Sequence, residues 1–118
     1  MTGGAGETGW GGVTGIAQGA LFSMANVACL ENAKTNIRFN EVFLAIRVDY
    51  DAVCEEKGND DWHRTKASDF ARVQEGIWAN EEIRACRVSV LSPADIDTLR
   101  FKKKLAADGA AHIPSSNP

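Results

Sequence analysis

The chain opens without a hydrophobic period. Residues 1–13 are dominated by glycine and follow neither a helical nor a strand spacing, which predicts a loop. From Thr14 the pattern changes. Ile16, Ala20, Met24, Val27 and Ala28 recur at three- and four-residue steps, and Leu21 and Leu30 widen the stripe. This predicts a long helix to about Ala33, apolar enough to be buried on more than one side. Thr14 can cap it, and Gly15 and Gly19 would let another backbone pack close. Asn36 to Val48, NIRFNEVFLAIRV, predicts a strand: its first half alternates and its second half is continuously apolar. A charged excursion follows, with one helical turn around Ala52–Lys57. Ser68 then caps a predicted helix carrying Phe70, Val73, Ile77 and Trp78 on one face and ending near Asn80. Arg84 to Leu91 predicts a second strand with Val88 and Val90 on one side. Ser92-Pro93 reads as N-cap and first position of a short, basic last helix.

Strand, helix and strand with a crossover of this length predict a parallel βαβ unit in a single α/β domain, residues 1–108, with a polar tail at 109–118. Two parallel strands leave unpaired edges, and the Thr14 helix is apolar on a wide arc. Both features predict a homo-oligomer, built on that helix and on the edge of the final strand.

Composition narrows the classes. An apolar share of 44%, a charged share of 25% and a net charge of −3 are those of a globular chain. Basic residues are scattered apart from Arg100-Phe101-Lys102-Lys103-Lys104, so neither nucleic acid nor an anionic membrane is expected as a partner. The three cysteines, Cys29, Cys54 and Cys86, have no metal-ligand spacing and read as buried, reduced thiols. A cytoplasmic location is the default, since no leader pattern is seen.

Gly3, Gly6 and Gly9 form a GxxGxxG run. A nucleotide loop of that kind needs a strand before it, and only Met1 precedes Thr2. A better account comes from a resemblance. The run from Thr14 to Val48 resembles the C-terminal half of the short-chain dehydrogenases/reductases. In that family a Tyr-x-x-x-Lys motif opens a long helix that leads into a strand worded N-I-R-V-N, close to NIRFN at residues 36–40. The resemblance implies a truncated, Rossmann-type fold in which TGGAGETGWGG is the loop before the catalytic helix. It also implies a degenerate site. Thr14 stands at the Tyr position, Gln18 at the Lys position and Thr2 at the Ser position, and VFLAIR replaces the Pro-Gly that follows the strand. A Thr hydroxyl is too weak an acid to replace a phenol, and Gln18 has no charge with which to activate one. No NAD(P) and no other cofactor is therefore expected.

Some chemistry could remain. Tyr50, the only phenol, follows the first strand, where α/β sheets place their sites; it also reads as a loop tyrosine between solvated carboxylates. His63, beside Asp60 and Asp61, could act as a general base or lie on a surface loop, and no metal site is expected there. Thr14 and Gln18, one helical turn apart, could bind and polarise a carbonyl or hydroxyl, or simply decorate the helix. Thr2, Trp10, Ile46 and Trp62 would line the pocket. The candidate catalytic group is thus Thr14, Gln18, Tyr50 and His63. Three functions stay open: a small-molecule binder with a non-redox step such as cyclisation or isomerisation, a non-catalytic dimerisation or interaction module, and a fragment of an NAD(P)-dependent oxidoreductase.

Overall fold

Along the chain run β1 (Thr2–Gly3), α1 (Ala5–Thr8), α2 (Val13–Glu31), β2 (Glu41–Leu44) and β3 (Val48–Asp49), then α3 (Asp51–Lys57) and β4 (Thr65–Lys66). They are followed by α4 (Ala67–Ala79), β5 (Cys86–Val90), α5 (Asp95–Thr98) and β6 (Arg100–Lys103). These elements come from a computed structural model, which describes residues 1–58 and 64–105. The predicted tail lies outside the described residues. The fold is mixed α/β. One sheet has the order β1-β2-β5-β6, with the first three strands parallel and β6 antiparallel to β5; β3 and β4 form a small parallel pair of their own.

Strand alternation sorts the side chains onto two faces. Val42 of β2 and Cys86, Val88 and Val90 of β5 turn toward α4, where Phe70 and Val73 close the core with Ile46, Ile83 and Ile96. Val73, Ile83, Val88 and Val90 are wholly buried. Each such side chain contributes roughly 1.5–3 kcal/mol by leaving water. The predicted α4 face holds at Phe70, Val73 and Ile77, but Trp78 is 80% exposed. The other sheet face carries Glu41, Phe43 and Arg87 and lies beneath α2, whose Phe22 ring sits 6.2 Å from that of Phe43.

Four expectations are corrected. The glycine-rich opening is not all loop: Thr2-Gly3 pairs with Phe43-Leu44, and α1 packs on α2. That packing is backbone to backbone, since a Cβ on Gly6 would sit 2.6 Å from the Gly19 nitrogen and 2.8 Å from Phe22 Cε2. The strand of residues 36–48 is only Glu41–Leu44. Its NIRFN portion is irregular, and its polar side chains brace neighbours instead: Arg38 donates to the carbonyls of Ile77, Trp78 and Asn80, closing the C-terminus of α4, and Asn40 bridges Ile83 and Cys86. The basic last helix is in fact the acidic α5 followed by a basic strand. β6 covers the β5 edge that was expected to mediate pairing, because Arg100–Lys103 can extend the sheet while keeping every side chain exposed. Finally, α2 is not buried on several sides. Only Gly15, Ala25 and Cys29 are buried, and Val13, Ile16, Met24, Val27 and Leu30 face outward.

The predicted caps shift as well. α2 is preceded by Gly12 rather than capped by Thr14, and α4 begins at Ala67, with the Ser68 amide donating to Asp51 from outside the helix at 3.1 Å. Asp95 accepts the amides of Leu91 and Ser92, both at 3.0 Å, so the β5–α5 turn is held from inside the helix rather than by Ser92. The three cysteines are free thiols, two of them buried. By length and composition α2 is also long and apolar enough to cross a membrane, with a mean hydropathy of 1.4, although one side of it is committed to α1 and the sheet.

Candidate functional site

The C-terminal ends of β1 and β2 meet the first half of α2 at one corner. Gly3 ends β1 opposite Leu44, and Gln18 reaches this point from the second turn of α2. A Cβ on Gly3 would lie 3.6 Å from Gln18 Oε1 and 3.7 Å from the Leu44 carbonyl oxygen. Those are ordinary contact distances, so the carboxamide lies against the backbone of Gly3 at the strand ends. Gln18 Oε1 is buried, with no hydrogen-bond partner among the described residues. An acceptor left this way costs about 1–3 kcal/mol. Thr14 lies exposed one turn earlier on the same helix.

Beneath the corner sits a charged cluster that pattern reading missed. Glu41 has a fully buried side chain. It accepts the Thr2 hydroxyl at 2.7 Å and pairs with Arg87 at 3.1 Å and Lys104 at 2.5 Å. Burial by itself would raise the Glu41 pKa, but Lys104, Thr2 and Arg87 together outweigh it and hold the carboxyl below its ordinary range. Arg87 also pairs with Glu7 of α1 at 2.8 Å and lies over the Phe22 and Phe43 rings at 4.9 and 5.1 Å. Burial opposes the Arg87 charge, yet its two carboxylates raise its pKa. Lys104 is further held by Asn26 Oδ1 at 2.6 Å. The cluster ties α1, α2 and three strands together, and it fixes the corner's floor. Cys29 lies close to it, its thiol pushed up by burial.

The sequence candidates are therefore scattered. Gln18 and Gly3 come together, with Thr14 at the rim. Thr2 is buried and its hydroxyl is committed to Glu41. Ile46 packs with Val42 and Phe70 on the opposite face and does not line the corner. Tyr50 precedes α3 at the end of the small sheet and is 80% exposed. Trp10 is 75% exposed in the α1–α2 loop, flanked by Gly9, Gly11 and Gly12 in left-handed conformations that a side chain would strain. His63 and Trp62 lie outside the described residues. No group of metal-binding side chains occurs among the described residues. Glu41 could have been suspected from sequence only by pairing it with Arg87, and that pairing needs the strand register.

Parallel strands joined by helices, with a corner at their C-terminal ends, define the class as a Rossmann-like α/β chain. The comparisons make it more particular: over most of its length the chain is similar to part of a short-chain dehydrogenase/reductase. It is 46% identical over 107 residues, 88% of this chain, to the short-chain dehydrogenase/reductase iacG of Pestalotiopsis fici, and spans 42% of that relative's length. No family model matches the chain, and no solved structure does.

Proposed function

We propose that this chain is a degenerate short-chain dehydrogenase/reductase-like protein that binds a small, uncharged organic molecule at the Gln18 corner without NAD(P). What carries the reading is the orphaned Gln18 oxygen at the strand ends beside the bare backbone of Gly3. Carrying an unsatisfied buried acceptor is costly, and a ligand hydroxyl that donates to it would repair that cost. Gln18 can accept through Oε1 and donate through Nε2, so it can orient either a hydroxyl or a carbonyl. Neither Thr14 nor Gln18 titrates near neutral pH. Any reaction at the corner would then rest on positioning and carbonyl polarisation, as a non-redox cyclisation or isomerisation does. The reading takes the chain as soluble and cytoplasmic.

The test is a ligand-observed NMR screen of the 118-residue chain against small phenols, enols and cyclic ketones, repeated with Gln18→Leu. Leucine is a good helix former and relieves the unsatisfied oxygen, so the variant should fold at least as well. We expect hits whose affinity falls about ten-fold in the variant, the value of roughly one hydrogen bond. Equal binding by both proteins, or no hits at all, would overturn the reading.

A further inference from the structure

The basic run Arg100 to Lys104 has no part in the Gln18 corner, which lies at the other end of the strand order β1-β2-β5-β6. It builds β6, an edge strand whose four residues are all exposed. The hydrogen bonds show which way its backbone faces. The Lys104 amide donates to the Ala85 carbonyl at 2.7 Å, and Lys102 and Arg100 stand opposite Arg87 and Ser89 in the same ladder. Antiparallel strands alternate between residue pairs that exchange hydrogen bonds and pairs that do not. Residues 100, 102 and 104 therefore spend their backbone groups on β5, while Phe101 and Lys103 turn theirs outward. Among the described residues no further strand takes these up. The side chains alternate as well. Lys104 reaches Glu41 and Asn26 on the α2 side of the sheet, so Lys102 points to that side too. There it stands across from Arg87, a like charge. Arg87 has Glu7 and Glu41, and Arg100 has Asp95 at 2.9 Å, but Lys102 has no carboxylate partner among the described residues. On the opposite side Phe101 lies across from the wholly buried Val88 and is 39% exposed, so the core ends at its ring.

We propose that β6 is a docking edge for an acidic peptide segment, which joins the sheet as one more strand. The backbone of the added strand pairs with the outward groups of Phe101 and Lys103. A carboxylate on it sits beside Lys102 and offsets the like charge of Arg87, and an apolar side chain beside Phe101 extends the core. The sequence that fits therefore alternates acidic and apolar residues. A second copy of this chain fits poorly, because β6 against β6 sets lysines and arginines against themselves, as edge cations do to deter self-pairing. A nucleic acid cannot extend the ladder, and its phosphates would meet Asp95 beside Arg100. The docking stands or falls independently of any ligand at Gln18.

Fluorescence anisotropy of a labelled nonapeptide alternating glutamate and valine, titrated with the full chain, tests this. Saturable binding is expected. N-methylation of alternate residues removes the amides along one edge of the peptide only. Of two peptides methylated at the valines or at the glutamates, one should bind about ten-fold more weakly, and the other should match the parent. Lys102→Glu should weaken the parent peptide by about ten-fold as well. That side chain is exposed, so far-UV circular dichroism should not change. Absence of saturable binding to wild type would overturn the proposal. So would equal binding by the parent and both methylated peptides, since charge alone would then hold the peptide. An oligothymidylate that binds more tightly and displaces the peptide would give the run to nucleic acid. Lys103→Pro removes an outward amide and leaves the β5 ladder intact. A dimer of the chain alone that this variant disperses would give the edge to a second copy, and would overturn the proposal too.

Discussion

Replacing Glu41 with Gln should be among the most damaging isosteric changes in this chain. The substitution keeps the shape and removes the charge between Arg87 and Lys104. Breaking a buried ion pair by neutralising one member costs about 3–5 kcal/mol. Here the loss is softened, because Arg87 keeps Glu7 at 2.8 Å and Lys104 keeps Asn26 at 2.6 Å. Arg87 is also 30% exposed, so solvent screens part of what it loses. That leaves a loss of about 2–3 kcal/mol, or a fall in Tm on the order of 10 °C for a chain of this size. Urea denaturation followed by far-UV circular dichroism at pH 7 measures it. A pH series adds a second check. The folded Glu41 pKa lies below its unfolded value of about 4.3. Its stabilisation is therefore complete above that value and drains away as pH falls through the folded pKa. Wild type should lose stability in that acid range more steeply than Glu41→Gln. A loss under about 0.5 kcal/mol with an unchanged acid slope would refute the reasoning, since such a small effect is that of an exposed charge.

Other outcomes follow from the same geometry. Gly6→Ala would drive a Cβ to within 2.6 Å of the Gly19 nitrogen, and should cost about 1–3 kcal/mol in the same urea assay as α1 is pushed off α2. Ala85, in the left-handed region at φ 53°, should gain about 0.5–1 kcal/mol on replacement by Gly, because relief of strain exceeds the added chain entropy. Titration of the chain with NADPH, read by calorimetry, should show no saturable heat; a micromolar dissociation constant would contradict the loss of cofactor chemistry inferred from Thr14 and Gln18.

The parts of the fold that were legible are those where burial writes a period. Cys86, Val88 and Val90 alternate because one sheet face is dry, and Phe70, Val73 and Ile77 repeat because α4 covers it. β6 left no such trace. Its four residues are all exposed, so Arg100–Lys103 shows only charge, and charge reads equally as a solvated helix. β1 is two residues long, too short for any period, and its partner β2 lies far along the chain. The α2 stripe was visible, but its direction was not: apolar spacing marks a face without saying what covers it. The Gln18 corner was legible through family resemblance, not through pattern. The Glu41 cluster depends on contacts from residues 2, 87 and 104, which only the folded register brings together.

The central claim is that a ligand is held at Gln18 and the strand ends. The most direct measurement is a ¹H–¹⁵N correlation spectrum of the labelled chain, titrated with whichever phenol, enol or ketone binds. The Gln18 side-chain amide pair and the backbone amides of Gly3, Gly4 and Ala45 should move first and furthest, saturating together, while Tyr50 and the α4 amides stay still. Shifts centred on Tyr50 and α3, with the Gln18 amide unmoved, would contradict it.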